Sequence, residues 1–235
     1  MPTVGAMRIA VAGGHGKVAR HLTRALAERG DVPLALIRSL DQVDDVTRDG
    51  AEATVLDLER CNVQDVTGAI TGADAVVFAA GAGPGSGTAR KDTVDRGAAQ
   101  LLAEAAVAAG VRRYVLVSAM GVDDAPANDV DEVFAAYLRA KAASEQDLRS
   151  RALDWTVLRP GRLTDDPATG LVRLEAHHQS REIADGIPSD VPRADVAGVL
   201  LALLLEPATA GLTLELTSGR VPVAAAVAAV LDPAD

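Results

Sequence analysis

Seven residues near the start of the chain leave few folds open to it: Gly13-Gly14-His15-Gly16-Lys17-Val18-Ala19. A short apolar run at 8–12 precedes them and reads as a buried strand. After them Val18, Leu22, Ala25 and Leu26 recur at helical spacing, and Gly30 is placed to end that helix. Gly13, Gly16 and Ala19 fit the spacing G-x-x-G-x-x-G/A. Small residues there let the turn be tight, let backbone N–H groups approach an anion and let the helix pack closely on the strand. The helix N-terminus adds its positive dipole end. A P-loop does not fit, because Val11 stands where its first glycine belongs and Val18 where it needs Ser or Thr. The order strand, glycine turn, helix suits the pyrophosphate of a dinucleotide; without a ligand it would be only a tight βα connection.

The same alternation continues. Apolar runs at 33–37, 53–56, 75–80, 114–117 and 155–158 read as strands, and 98–109 and 133–148 as helices. This predicts an α/β, doubly wound parallel sheet. Aromatic residues are only 2% of the 235, so Ala, Val and Leu must fill the core, as suits parallel strands covered on both faces. After Pro160 the pattern loosens. Residues 194–205 read as a helix, 212–216 as a strand and 223–231 as a last helix, whereas 164–192 show little periodicity. The expectation is a single domain over 1–235 with an irregular substrate-side cap at about 164–192. The net charge of −10 opposes a nucleic acid partner. A lone cysteine, Cys61, excludes an internal disulfide. Residues 1–7 carry no signal-peptide pattern, and the longest apolar run, 196–205, is about half a membrane span. A cytoplasmic protein with a small-molecule substrate and no membrane or metal is expected.

The second strand ends in Ile37-Arg38-Ser39. An acidic residue there would bond a ribose 2′-hydroxyl, whereas the Arg38 guanidinium suits a 2′-phosphate, which favours NADP(H) over NAD(H). Asp41 keeps a hydroxyl contact open, and Arg38 could equally be a solvated charge. Asp57-Leu58 ends the third strand near the expected adenine edge. Ala79, Ala80 and Gly81 offer an uncluttered wall beside the cofactor. His15 lies in the phosphate turn itself. Tyr137 and Lys141 form Tyr-x-x-x-Lys on one helical face, where an ammonium lowers a phenol's pKa and fits it for acid–base work. An i,i+4 surface pair is the plainer reading. Ser118 ends the fifth strand, where it could hydrogen-bond a substrate carbonyl. His177 and His178 are adjacent, which is not a metal-ligand spacing, and a solvated loop is the simpler account.

Together these residues resemble the short-chain dehydrogenase/reductase superfamily, in particular its atypical NAD(P)H-binding branch. The resemblance spans nearly the whole chain. It rests on the glycine turn, Arg38, Asp57-Leu58, Tyr114-Val115-Leu116-Val117-Ser118, Tyr137/Lys141 and Leu153-Asp154-Trp155-Thr156-Val157-Leu158-Arg159-Pro160-Gly161. It implies a Rossmann fold, Pro160-Gly161 near the nicotinamide, Lys141 on the ribose, and a Ser118–Tyr137–Lys141 set that moves the substrate proton. Ala79-Ala80-Gly81 departs from the Asn-Ala-Gly of typical members, and no fourth catalytic residue is evident on the following helix. The implied activity is hydride transfer between NADP(H) and a small carbonyl, quinone or sugar-like substrate. A non-catalytic NADP(H) sensor and an epimerase or dehydratase stand as alternatives.

Overall fold

A computed structural model describes residues 5–83, 85–123, 132–177 and 190–232. Strand β1 (Arg8–Ala12) feeds helix α1 (Lys17–Arg29), and Gly30 closes that helix in the left-handed region at φ 89°. Then come β2 (Val32–Ile37), α2 (Val43–Arg48), β3 (Glu52–Val55), α3 (Val63–Ile70) and β4 (Ala75–Phe78). A helical turn α4 (Thr88–Arg90) continues into a π-helix (Lys91–Ala98) and α5 (Ala99–Ala109), which ends at Gly110 with φ 73°. Next are β5 (Arg113–Val117), α6 (Glu132–Arg149), β6 (Asp154–Pro160), β7 (Arg162–Thr164), β8 (Leu171–Ala176) and β9 (Asp190–Pro192). The described chain finishes with α7 (Arg193–Leu205), β10 (Thr213–Ser218), β11 (Val221–Pro222) and α8 (Val223–Leu231).

The main sheet runs β11-β8-β10-β6-β5-β4-β1-β2-β3. Every pairing from β3 across to β10 is parallel, and β8 and β11 close the edge antiparallel. Helices cover both faces, so the central strands β4 and β5 are buried at every residue, all of them apolar in β4 and all but Arg113 and the Tyr114 hydroxyl in β5. One face packs Leu22, Val199, Leu200 and Val227 from α1, α7 and α8 against the sheet. The other packs Val66, Leu102 and Leu148 from α3, α5 and α6. The chain turns one way from β1 to β2 and the other way to β4. The carboxyl ends of β1 and β4 therefore part at a switch point, where such sheets bind ligands.

The fold class is the predicted one, a Rossmann-type α/β sheet. Residues 171–176, read as irregular, instead form β8 in the main sheet, with alternate residues buried against β10. That period of two spans only six residues between turn-forming neighbours, which hides it. Residues 178–189 of the expected cap lie outside the described residues, as does His178.

Helix α1 is tied to the end of α2 by charge. Asp49 accepts from Arg20 Nε at 2.5 Å and Arg24 Nη1 at 2.8 Å, and its side chain is only 7% exposed. Burial alone would push this carboxyl up, but the two arginines more than offset it and hold it below the ordinary value. A depressed folded-state pKa contributes stability above the unfolded value, about 3.9, that is lost as pH falls through the folded one. Asp49→Asn is therefore expected to destabilise the protein at pH 7, with the gap to wild type narrowing below about pH 4. Urea unfolding at pH 7, 5 and 3 checks this; a gap that does not change with pH refutes it.

Candidate active site

The turn after β1 fits between two strands because it lacks side chains. Gly13 sits at φ 75°, and a Cβ there would lie 2.6 Å from Ala80 Cα. A Cβ on Gly14 would lie 2.6 Å from Ala35 Cβ, and one on Gly16 3.0 Å from the Gly13 carbonyl. Two amides are spent inside the turn: Gly14 N–H donates to Leu36 O at 3.0 Å and Gly16 N–H to Gly13 O at 2.7 Å. The amides of Lys17, Val18 and Ala19, which open α1, have no helical acceptor, and the ladder begins with Arg20 N–H donating to Gly16 O at 2.9 Å. That end also has no side-chain cap and no acidic residue in its first turn, so its positive potential is left for an incoming anion. Val18 is buried in the core and offers only its backbone. The Lys17 ammonium is exposed and paired with Asp165.

A cleft of about 370 Å³ opens above this turn. Gly13, His15, Gly16, Arg38, Asp57, Leu58, Ala79, Ala80 and Gly81, all singled out from sequence, line it. So do residues that sequence reasoning missed, among them Gln42, Glu59, Ala82, Gly83, Arg90 and Val94. Among its basic groups, Arg90 is paired with Glu59 at 2.8 Å, and His15 Nε2 lies 2.9 Å from Asp45. The Arg38 guanidinium has no ion pair among the described residues. Ser39 bonds the neighbouring Asp41 and, as the main cause, holds that carboxyl below its usual range.

Ser118, Tyr137, Lys141, Pro160 and Gly161 lie beyond this lining. Tyr137 and Lys141 do share a face of α6. Lys141 is buried, donates to the Val117 carbonyl at 3.0 Å and lies 5.8 Å from the Tyr137 ring centroid. On the π-helix, Lys91 stands 5.2 Å from the same centroid and donates to the Gly83 carbonyl at 2.9 Å. Two of the chain's three lysines thus bracket one phenol. The expected lowering of the Tyr137 pKa is outweighed: burial pushes the phenol well above its usual value, and Asp95 adds to that. Burial pushes the Lys141 ammonium down, with Asp95 opposing it.

The Ser118 hydroxyl donates to Glu145 Oε1 at 2.5 Å. Glu145 is in turn held by Arg159 through contacts of 3.0 and 2.8 Å, and Arg159 also binds Asp123. His177, exposed just after β8 as expected, joins this network 2.9 Å from both Asp123 and Glu215. Pro160 accepts from Met120 N–H at 3.1 Å, and Gly161 N–H donates to Leu216 O at 2.9 Å. Burial pushes the Cys61 thiol up, away from thiolate. Among the described residues no helix is long and apolar enough to cross a membrane.

Comparison with known proteins agrees with this architecture. A family model described as NAD(P)H-binding matches residues 13–207. The protein called UPF0659 protein YMR090W of Saccharomyces cerevisiae is 36% identical over 220 residues, 92% of this chain and 95% of its own. The Bacillus subtilis protein named uncharacterized sugar epimerase YhfK is 29% identical over 94% of this chain and 99% of its own. The solved structure of a putative NAD-dependent epimerase/dehydratase from Bacillus halodurans superposes with a TM-score of 0.85 at 32% identity, covering 95% of this chain and 99% of that one.

Two glycines separate backbone strain from cleft geometry. Gly110 has φ 73°, like Gly13, but a Cβ there meets nothing within 4 Å. Alanine at either position is expected to cost about 1 kcal/mol or more in backbone strain. Only Gly13→Ala moves the turn off Ala80, so it alone should weaken NADPH binding, by at least about tenfold. Fluorescence titration of both variants checks this; equal affinities would uncouple the turn from binding.

Proposed function

This chain belongs to the NAD(P)H-binding family, and on that premise we propose that it is an NADP(H)-dependent oxidoreductase that reduces a small carbonyl, quinone or sugar-like substrate. The observation that carries this reading is the Tyr137 phenol, packed between Lys91 and Lys141 immediately behind the wall of the cleft. The turn at 13–19 takes the pyrophosphate, Asp57 and Leu58 face the adenine, and Ala79 to Gly81 flank the cofactor. A dihydronicotinamide held by these residues would supply hydride to a carbonyl carbon. Tyr137 supplies the proton to the carbonyl oxygen, so the product is an alcohol. A phenol is already in the acid form at neutral pH, as a proton donor must be; burial raises its pKa and makes it a weaker acid, an effect the neighbouring ammonium must offset when the proton leaves. Lys141 holds the ribose and steadies the phenolate that forms. Ser118 orients the carbonyl once its hydroxyl turns from Glu145.

The preference for NADP(H) rests on Arg38, which lines the cleft without an ion pair among the described residues, while Arg90 and His15 are paired. Arg38→Ala is expected to weaken NADPH binding about tenfold or more, the value of a charge-assisted contact, and to leave NADH within about threefold. Parallel calorimetric titrations decide this, and an equal loss for both nucleotides refutes the assignment.

Tyr137→Phe should lower turnover of the best substrate in a carbonyl and quinone panel by about a hundredfold or more. NADPH affinity should stay within about threefold. Undiminished turnover removes Tyr137 from the mechanism. An epimerase, the activity carried in the names of two Bacillus relatives, would use the same groups but return the hydride. Interconverted sugar epimers without net NADPH oxidation would favour it. A panel that consumes no NADPH, beside a partner whose affinity differs between NADP+ and NADPH, would instead mark a sensor.

A further inference from the structure

We infer that Asp95 is the positioning carboxylate of the reaction centre: it holds the Lys141 ammonium beside Tyr137 and pins the cleft wall at Ala82. The term reaction centre rests on the function proposed above; the contacts themselves do not.

Asp95 stands on the π-helix after β4, where the sequence suggested no functional residue. The i→i+5 winding of that helix buries Lys91, Val94, Asp95 and Ala98 together. Such windings recur at functional sites. Val94 and Ala98 face the cleft, whereas Asp95 faces Lys141. The Asp95 side chain is fully buried. Its Oδ2 accepts from Ala82 N–H at 3.2 Å, and a Cβ on Gly81 would lie 3.2 Å from its Oδ1. The carboxylate is thus in contact with the strip that walls the cofactor cleft. Its Oδ1 lies 3.3 Å from Lys141 Nζ and accepts no hydrogen bond among the described residues.

An isolated buried carboxylate or ammonium gives up its charge. Here each charge justifies the other. As a device for stability alone the pair has little to recommend it, because a buried ion pair is commonly no better than apolar residues of the same volume. Its location distinguishes it: one end is bonded to the cofactor wall and the other is packed on Tyr137. The groups facing Lys141 are Asp95 and Lys91 from the π-helix, Tyr137 and Glu145 from α6, the Val117 carbonyl from β5 and the Phe78 ring from β4. Glu145 is already bound by Arg159 and Arg149. Lys91 repels. Asp95 is therefore the group that most strongly opposes the effect of burial on the Lys141 ammonium.

With only three lysines in the chain, the side-chain ammonium signals of 15N-lysine-labelled protein can be assigned by Lys17→Arg and Lys91→Arg. In cofactor-free wild type Lys141 should be an ammonium at pH 7. In Asp95→Asn, which keeps an acceptor for Ala82, its titration should move down by about one pH unit or more. The alkaline limb of the kcat profile should move with it, while NADPH affinity at pH 6 stays within about threefold. A purely packing role would lower activity without moving either titration. A neutral Lys141 in wild type, or an unmoved titration in Asp95→Asn, overturns the inference. The first needs no variant to fold, and both are read without turnover. A panel that yields no turnover would therefore remove the proposed function while the lysine signals still judge Asp95.

Discussion

The closeness of the β1–α1 turn to its two neighbouring strands governs the rest of the molecule. Gly13 rests on Ala80 and Gly14 on Ala35, at distances a β-carbon cannot share. Smallness is needed on both sides of each contact, so the alanines of β2 and of the strip after β4 belong to the same constraint as the glycines. Were the turn lifted, α1 would leave its packing on α7 and the cleft would lose its floor. Within the turn, Gly14 and Gly16 commit their amides to neighbouring carbonyls. This ties the turn to its neighbours and leaves the uncapped first turn of α1 as the part whose amides are open to an anion.

Features with a long, strong period were legible from sequence. Strands β1, β4 and β5 announce themselves by apolar runs and helices α1, α5 and α6 by helical spacing, with α1 and α5 closed by glycine, and parallel pairing follows from their alternation. Elements with mixed polar and apolar composition did not. Helix α3 has eight residues, and its one local signal is the Asn62–Asp65 capping box. Strand β8 has six, set among Gly, Pro and Asp. The π-helix carries the polar sequence Lys-Asp-Thr-Val-Asp-Arg-Gly-Ala, whose inner face appears only when its winding is known.

The site divides along the same line. Residues singled out by motif or by their place at a strand end, such as Gly13, Gly16, Asp57 and Ala80, line the cleft. Residues that act through contacts distant in sequence were not. Asp95 meets Lys141 across 46 positions, Glu145 meets Ser118 across 27, and Arg159 meets Asp123 across 36. No local pattern predicts such pairs, because neither partner looks unusual until the fold brings them together. Tyr137 shows the corollary. Its spacing to Lys141 was visible, but its burial was not, and burial is what decides its acidity.

Buried charge is distributed unevenly, and that distribution is itself an argument. Lys91, Asp95, Lys141, Glu145 and Arg159 are all buried around the C-terminal ends of β4, β5 and β6, between the π-helix and α6. Arg113 is the instructive contrast. It lies at the other end of β5 and has no carboxylate partner within ion-pair distance among the described residues. It spends its guanidinium on Leu203 O, at the end of α7, and on Asp154 O, Thr156 and Thr209. Such a group caps and ties elements, and burial lowers its pKa accordingly. The cluster at the opposite end pairs opposite charges instead. Paired buried charges add little stability over apolar packing, so packing alone gives no reason to gather them at one end of the sheet. That end is the one where a doubly wound sheet meets its ligand. The buried charges that pair with one another around Tyr137 are therefore gathered at the ligand-binding end of the sheet, whereas Arg113, buried at the other end, is satisfied by neutral oxygens.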